Sequence, residues 1–198
     1  MTRYEQDFLD LAITHHALQF GDFTLKSGIK SSVFCNIGMI ASGEGLYQLA
    51  QCYAAMIVSH NLAFDMLFGP AYKGIPLASV LATILHAEYN INKPVAYNRK
   101  EKKAHGEGGN IIGAPLAGKV LIVDDVITRG TACQEAIQFV KDAGAKTVGL
   151  AIAVDRQEQM EVGQTASEYI AHKHDISVLS ITTLHAIQQI QAQRASAE

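Results

Sequence analysis

The sequence predicts an α/β protein built on an open parallel sheet that is flanked by helices. From residue 65 onward, short apolar runs typical of buried strands alternate with stretches of helical periodicity. The run VLIV at 120–123 is apolar at every position, as expected for a strand that helices cover on both faces. Because no internal repeat and no Pro- or Ser-rich linker interrupts the 198 residues, we expect a single domain over 1–198.

The first part of the chain is predicted to form a helix and a hairpin attached to this sheet. Thr2 and Glu5 have the spacing of a capping box, and apolar residues recur at helical spacing after them. Residues 21–39 are punctuated by glycines and rich in β-branched and aromatic side chains, which is typical of a hairpin or small sheet. A second helix is predicted over 45–59, where the apolar residues share one face.

The core of the fold is predicted over about 60–182. Its strands are expected at 65–68, 94–97, 120–123, 147–154 and 176–181. Its helices are expected at 75–88 and 131–143, the latter closed by Gly144, and a final helix follows the last strand. This alternation predicts parallel strands joined by helical crossovers.

Composition and charge exclude several classes of function. The net charge of −3 gives the protein no general attraction for nucleic acid or for an anionic membrane. The longest nearly apolar stretch, 75–85, has about half of the roughly 20 residues that span a bilayer, and the N-terminus lacks the pattern of a secretory signal. Cys35, Cys52 and Cys133 are too far apart for a CxxC metal or redox motif, which fits buried, reduced thiols. We therefore expect a cytoplasmic protein.

The string VLIVDDVITRG at 120–130 carries the strongest chemical signal. In an open parallel sheet, ligands bind beyond the carboxyl ends of the strands, and Asp124 and Asp125 follow such a strand directly. The turn 127–131 then opens a helix, whose unpaired backbone N–H groups suit a phosphate. Carboxylates beside a phosphate site are typical of sites that hold sugar hydroxyls or act through Mg²⁺. The joined string predicts a site for a phosphorylated ribose, although the acidic pair alone fits a solvated strand end equally well.

Two other glycine-rich segments are rejected as nucleotide sites. Residues 113–119 have the spacing of a Walker A loop, but Val120 replaces the required Ser or Thr and the segment precedes a strand. The string GEGGNIIG at 106–113 has neither a strand before it nor a helix after it, which argues against a dinucleotide fingerprint.

A basic segment at 99–105 is followed by three glycines within 106–109. Taken alone, such a charge run is usually a solvated loop. Next to a site for a pyrophosphate ester, a positively charged loop that follows a strand is typical of a lid over the leaving group. We therefore expect this segment to close over the site.

Several motifs together resemble one family. The string at 120–130 is similar to the phosphoribosyl-pyrophosphate loop of type I phosphoribosyltransferases. LKSG at 25–28, FGPAYKGIP at 68–76, RKEKKAHGEGG at 99–109 and VDRQE at 154–158 resemble orotate phosphoribosyltransferases, in the same order along the chain. The resemblance extends from the first helix to about Arg156. It implies the type I phosphoribosyltransferase fold, with about 1–40 forming a small N-terminal hood over the base site.

The resemblance also implies an activity. The expected reaction is the Mg²⁺-dependent transfer of the 5-phosphoribosyl group from phosphoribosyl pyrophosphate to orotate, which gives orotidine 5'-monophosphate and pyrophosphate in pyrimidine biosynthesis. It implies a homodimer whose active sites are shared, with Lys100 and Lys103 reaching the partner subunit's site. It implies that the substrate diphosphate holds Mg²⁺, with Asp124 or Asp125 as the candidate protein ligands. A non-proline cis peptide is common in the loop that contains Tyr72 and Lys73.

Site residues are implied position by position. The residues implied in catalysis are Lys103, His105, Asp124 and Asp125. Those implied in binding phosphoribosyl pyrophosphate are Lys26, Tyr72, Lys73, Arg99, Lys100, Lys103, His105, Asp124, Asp125, Val126, Ile127, Thr128, Arg129, Gly130, Thr131 and Ala132. Those implied in binding orotate are Phe34, Cys35, Thr128 and Arg156.

The sequence departs from the family pattern at a few positions. Cys35 stands where a second Phe is common, Ala104 where the lid often has Asp, and Arg129 where the loop often has a small residue.

Two alternative functions share part of this pattern. A purine phosphoribosyltransferase would share the phosphate loop, but Lys26, Phe34 and the basic segment argue against it. A regulator that senses phosphoribosyl pyrophosphate and binds nucleic acid would need a basic face or an added domain, and neither is evident.

Overall fold

The computed structural model describes residues 1–24, 30–99, 110–160 and 163–195. The helices are α1 (Arg3–Thr14), α2 (Gly43–Ser59), α3 (Gly74–Tyr89), α4 (Thr131–Asp142), α5 (Ala166–His174) and α6 (Leu184–Ala195). The strands are β1 (Leu18–Thr24), β2 (Lys30–Cys35), β3 (Met66–Gly69), β4 (Val95–Asn98), β5 (Ile111–Gly113), β6 (Lys119–Val123), β7 (Val126–Ile127), β8 (Lys146–Asp155) and β9 (Ser177–Thr183). One 3-10 turn covers Ile37–Met39.

The main sheet is parallel except at one edge. Strands β5, β4, β3, β6 and β8 lie side by side in that order, and both β9 and the short β7 also pair with β8. Every pairing is parallel except that of β4 with β5, which is antiparallel. The predicted open parallel sheet is therefore confirmed for the core strands. The antiparallel edge strand β5, the two-residue β7 and helix α5 were not predicted.

Alternation along the buried strands divides the interior into two cores. Leu121 and Val123 of β6 face a core shared with α1, α2 and α3. Val120 and Ile122 face the opposite core, which contains residues of α4 and α5. All four side chains are 0% exposed, which explains why this strand is apolar at each position: successive side chains point to opposite faces, and helices cover both.

The predicted capping box of α1 forms only in part. The Thr2 side chain accepts a hydrogen bond from the backbone N–H of Glu5. The Glu5 carboxylate does not return to Thr2; it accepts a hydrogen bond of 2.9 Å from Thr182 Oγ1 of β9. Because Thr182 is buried, its hydroxyl needs a partner, and this long-range bond replaces the local one. A complete capping box occurs instead at the start of α5, between Thr165 and Glu168.

The predicted hairpin is confirmed as the antiparallel pair β1–β2. Its register sets Leu18 opposite Cys35 and Gln19 opposite Phe34. Leu18 and Val33 are buried in the same core as α1 and α2, so one part of the hairpin is fixed to the main body. The hairpin therefore ends, at Cys35, beside the rest of the domain.

Two expectations about solubility and thiols can be compared with the fold. Among the helices of the described residues, none combines the length and the apolar content needed to cross a bilayer. The three cysteines are free; Cys52 and Cys133 are buried as expected, whereas Cys35 is half-buried.

Candidate functional site

Asp124 and Asp125 lie at the carboxyl edge of the sheet, directly after β6. The Asp124 N–H donates to the carbonyl of Ala151, at 3.0 Å. The Asp125 carbonyl accepts from the N–H groups of Ala153 and Val154, at 2.9 and 3.2 Å. The backbone of the acidic pair is therefore held by β8, and the interpretation of the pair as a solvated strand end is wrong for Asp125, which is 8% exposed.

Lys73 meets this acidic pair. Its Nζ lies 2.5 Å from Asp125 Oδ2. The contact is possible because the loop before α3 packs closely on the end of β6: a Cβ at Gly74 would lie 2.7 Å from the carbonyl oxygen of Val123, and one at Gly69 would lie 2.2 Å from that of Gly74. Glycines at these two positions let two strand ends approach, so a cation and a carboxylate from separate segments meet.

The same loop has the unusual peptide geometry expected for it. The Ala71–Tyr72 bond is cis. The Ala71 N–H donates to Asn98 Oδ1 at 2.8 Å, which connects the loop to the end of β4. The Tyr72 side chain is 63% exposed, so it lies at the surface beside Lys73.

Tyr53 is a contributor that the sequence did not indicate. Its side chain is 1% exposed, and its hydroxyl donates a 2.7 Å hydrogen bond to the carbonyl oxygen of Asp124. In the sequence it is indistinguishable from the other residues of the apolar face of α2. A tyrosine on such a face is the available signal, because a buried tyrosine hydroxyl usually has a partner.

The electrostatics of the acidic pair differ between its members. Burial and, after it, the neighbouring charge of Asp125 raise the pKa of Asp124 to about 7, while Lys73 acts in the opposite direction. Near neutral pH, Asp124 can therefore exchange a proton while the Asp125 carboxylate is paired with Lys73. A carboxyl group that can gain or lose a proton is suited to hold hydroxyl groups, which both donate and accept hydrogen bonds.

The segment 126–132, predicted to be the phosphate loop, joins β6 to α4. Val126 and Ile127 form β7 before the turn, and Ile127 is buried with its carbonyl accepting from Arg156 N–H. The side chains of Thr128, Arg129, Thr131 and Ala132 are exposed. Gly130, at φ +74°, is the N-cap of α4, and no side chain caps that helix end. The first N–H groups of α4 are thus available to a phosphate, as predicted.

The hairpin brings Cys35 close to these strand ends. Burial raises the pKa of the Cys35 thiol to about 12; the charge of Asp125 raises it as well, whereas Arg156 and Lys73 lower it. Cys35 therefore lies within electrostatic reach of three predicted site residues. Phe34 is half-buried, with its ring centroid 5.6 Å from that of Phe23.

Arg156 follows directly after β8. It is 8% exposed, and its Nε lies 3.2 Å from Glu158 Oε1. That ion pair lacks the alignment of a hydrogen bond, so the buried Nε–H has no hydrogen-bond partner among the described residues. A guanidinium with unused donors at a strand end is suited to a carboxylate ligand.

We use two names for the halves of this site. The phosphate side consists of Lys73 and residues 124–132; the base side consists of Phe34, Cys35 and Arg156. A cavity of about 270 Å³ lies between the Ile37–Met39 turn, α2 and α3, with Lys73 and Asp125 of the phosphate side in its wall. A larger groove of about 820 Å³ between α1 and α2 contains none of the predicted site residues.

Four of the predicted residues lie outside the described part of the chain: Lys26, Lys100, Lys103 and His105. Arg99 is described; it is exposed, and its N–H donates to the carbonyl of Asn110 at 2.7 Å. The antiparallel pairing of β4 with β5 sets Asn98 opposite Ile111. Arg99 and Asn110 therefore lie at the carboxyl end of β4, the edge of the sheet that also carries Asp124 and Asp125.

Comparison with known proteins places this geometry in context. The sequence model of the phosphoribosyl transferase domain matches residues 36–174. The chain is 51% identical to an orotate phosphoribosyltransferase of Marinobacter nauticus over 94% of its own length and 88% of that protein. It is 47% identical to one of Pseudomonas savastanoi, over 97% and 90% of the two chains. The crystal structure of an orotate phosphoribosyltransferase of Francisella tularensis superposes with a TM-score of 0.84 at 39% identity, covering 94% of this chain and 90% of that one.

Proposed function

Because this chain belongs to the phosphoribosyltransferase family, and within it to the orotate phosphoribosyltransferases, we propose that it transfers the 5-phosphoribosyl group of phosphoribosyl pyrophosphate to orotate. The products are orotidine 5'-monophosphate and pyrophosphate, a step in the synthesis of UMP. One observation carries the proposal: the Lys73–Asp125 pair, the uncapped start of α4 and Arg156 all stand at the carboxyl edge of the sheet. An anionic sugar phosphate and an anionic base thus each find a matching group.

On the phosphate side, the chain binds and orients the sugar. The N–H groups at the start of α4, with Thr128 and Thr131, hold the 5-phosphate, and Asp124 and Asp125 hold the ribose hydroxyls. Lys73 lies beside them and binds the diphosphate, which places its charge near the leaving group. Since a ring nitrogen of orotate is the nucleophile, the protein has no need of a nucleophilic side chain.

The lid supplies the remaining positive charge. We assign Arg99, Lys103 and His105 to the departing pyrophosphate, with Lys26 at the junction of the two substrates. The support is positional: Arg99 and Asn110, the described residues on either side of 100–109, lie at the carboxyl edge of the sheet. A closed lid would also keep water away from the activated ribose.

The residues present fit Mg²⁺ as a partner of the substrate. Among the described residues, no group of three or more His, Cys, Asp or Glu could hold a metal ion. Asp124 and Asp125 offer carboxylate oxygens directly after β6, and Asp125 is paired with Lys73. Mg²⁺ commonly takes one or two carboxylates and fills its other positions with substrate phosphates and water. Such an ion would neutralise charge on the diphosphate, with Asp124 or Asp125 as its protein ligand.

We further infer a cytoplasmic homodimer with shared sites. Met39 is 49% exposed and Tyr72 is 63% exposed, both next to the cavity described above, which favours cover from a second subunit. Lys100 and Lys103 would then reach the site of the partner subunit. Mixing Lys103→Ala and Asp125→Asn proteins under subunit exchange should restore activity in the heterodimer. Heterodimers that form but remain inactive would show that the lid acts within its own subunit.

The activity itself is tested by incubating the protein with phosphoribosyl pyrophosphate, Mg²⁺ and one base, and measuring the release of pyrophosphate. Orotate should support turnover, whereas adenine, hypoxanthine and guanine should not. Equal release with a purine, or none with orotate, would overturn the assignment.

A further inference from the structure

A buried polar network lies behind Arg156, at the junction of β8 with α5. Asp155, the last residue of β8, is 8% exposed. Its Oδ2 accepts a 2.5 Å hydrogen bond from Ser167 Oγ, and its Oδ1 accepts one of 2.8 Å from the N–H of Gln157. Ser167, also 8% exposed, is joined to Thr165 by a 3.0 Å contact between their hydroxyls. No residue of this network belongs to the site described above.

The network fixes the chain on both sides of Arg156. The Arg156 N–H donates to the Ile127 carbonyl at 3.1 Å, which connects it to the strand before the phosphate loop. Gln157 adopts φ +50°, a backbone conformation that residues other than glycine rarely adopt. Asp155 stabilises this turn through the N–H of Gln157. The Gln157 side chain accepts a further bond of 3.2 Å from the N–H of His185, at the start of α6.

Glu158 contacts both the start of α5 and the Arg156 side chain. Its carbonyl accepts from the N–H of Ala166, the first residue of α5, at 3.2 Å. Its carboxylate lies 3.2 Å from Arg156 Nε without forming an aligned hydrogen bond. The guanidinium is therefore held near a counter-ion through its buried Nε, and within the described residues no hydrogen bond uses that N–H.

We propose that Asp155 and Ser167 are positioning residues, whose hydrogen bonds aim the Arg156 guanidinium at the carboxylate of the base. The inference rests on the proposed function and deepens it, since it assigns recognition of orotate to a network that does not touch the substrate. A buried carboxylate is costly unless it is hydrogen-bonded, and an apolar junction between β8 and α5 would avoid that cost. The hydrogen bonds of the network instead fix two features of the chain, the turn at Gln157 and the direction of Arg156. Small displacements of a binding group reduce reaction rates strongly. A guanidinium that binds substrate therefore needs neighbouring residues that hold it in position.

The first test is Ser167→Ala, which removes one bond to Asp155 and preserves the helix. We expect the KM for orotate to rise about tenfold, while the KM for phosphoribosyl pyrophosphate and kcat stay within about twofold. Ser167→Thr keeps the hydroxyl and should restore the KM for orotate. Asp155→Asn is a second variant with the same expected pattern.

The matched control is Thr147→Val. Thr147 is at the other end of β8, is also 8% exposed, and its hydroxyl has no hydrogen-bond partner among the described residues. This variant removes a buried hydroxyl from the same strand and should leave both KM values unchanged. A comparison of melting temperatures then separates the loss of stability from the loss of orotate binding.

A double-mutant cycle decides whether the effect passes through Arg156. In an Arg156→Ala background, Ser167→Ala should cause no further rise in the KM for orotate. The proposal is overturned if Ser167→Ala leaves the KM for orotate unchanged, weakens both substrates equally, or has its full effect in the Arg156→Ala background. Failure of the proposed function would be distinct, because the unmodified protein would then show no turnover of orotate.

Discussion

The phosphate side and the base side of the site are built in different ways. On the phosphate side, Asp124 and Asp125 follow four buried strand residues, 120–123, and their backbone groups are bonded to β8. On the base side, Phe34 and Cys35 lie at the end of a two-stranded hairpin and are half-buried. Arg156 joins them from a position more than 100 residues later in the sequence.

The difference teaches where each kind of recognition is encoded. In the proposed site, backbone N–H groups and residues next to one strand hold the phosphate and ribose, so a single continuous string contains most of the information. The side chains proposed to hold the base come from separate segments, so specificity for the base depends on how those segments pack. Mutations on the phosphate side should therefore change kcat and the KM for phosphoribosyl pyrophosphate. Mutations on the base side should change the KM for orotate.

Asp125→Asn should have the largest effect. It weakens the pair with Lys73 and removes a charge beside the sugar, and we expect kcat to fall roughly 10²- to 10³-fold. Pyrophosphate release at saturating concentrations of both substrates measures it. Asp65→Asn is the matched control: Asp65 is at the amino end of β3, where its carboxylate accepts from the Lys119 N–H. If both variants lose activity equally, the carboxyl edge has no special role.

Arg156→Lys should change the base side alone. Lysine keeps the charge but loses the planar guanidinium, so we expect the KM for orotate to rise roughly ten- to hundredfold. The KM for phosphoribosyl pyrophosphate should stay within about twofold. Steady-state kinetics with each substrate varied in turn measure both values, and Arg3→Lys on the exposed surface is the control. A parallel rise in both KM values would contradict the division into two sides.

Gly130→Ala should weaken both stability and phosphate binding. Gly130 has φ +74°, and a Cβ there would lie 2.5 Å from Ile170 Cδ1 in the buried core. Gly144→Ala is matched to it, since Gly144 has φ +80° and nothing within 4 Å of the added Cβ. The left-handed conformation costs each variant about 1–2 kcal/mol. Thermal unfolding should show Gly130→Ala to be less stable than Gly144→Ala by about 1 kcal/mol or more. Equal melting temperatures would show that Ile170 yields freely.

Asp124 should make stability depend on pH, whereas the base-side thiol should not. The folded pKa of about 7 lies above the ordinary 3.8, so the folded state holds the proton more tightly than the unfolded state. This contribution is fully present below about pH 4 and is lost as the pH rises to about 7. Without substrate or Mg²⁺, the melting temperature relative to Asp124→Asn should therefore fall by a few degrees over that range. Cys35→Ala should show no such trend, because the pKa of Cys35 is about 12; a flat curve for Asp124 would contradict the raised pKa.

Much of the fold follows from local patterns. The strands and helices of the core were predicted within about two residues of their observed ends, because apolar runs and helical periodicity reflect burial on both faces of a sheet. The missed elements lacked such patterns. Strand β5 has three residues and β7 has two, too few for any periodicity to show, and α5 is short and weakly amphipathic.

The sequence by itself determined the α/β order and the position of the phosphate loop, because both are written in contiguous residues. Only the tertiary structure decided which side chains meet there. Lys73 and Asp125 are 52 positions apart, Tyr53 and Asp124 are 71 apart, and Glu5 and Thr182 are 177 apart. Such pairs leave no local signal, since their partners are set by how strand ends and helices pack. The same reason explains why the Glu5 carboxylate bonds Thr182 instead of capping α1 as predicted. It also explains why the network behind Arg156 is visible only in three dimensions.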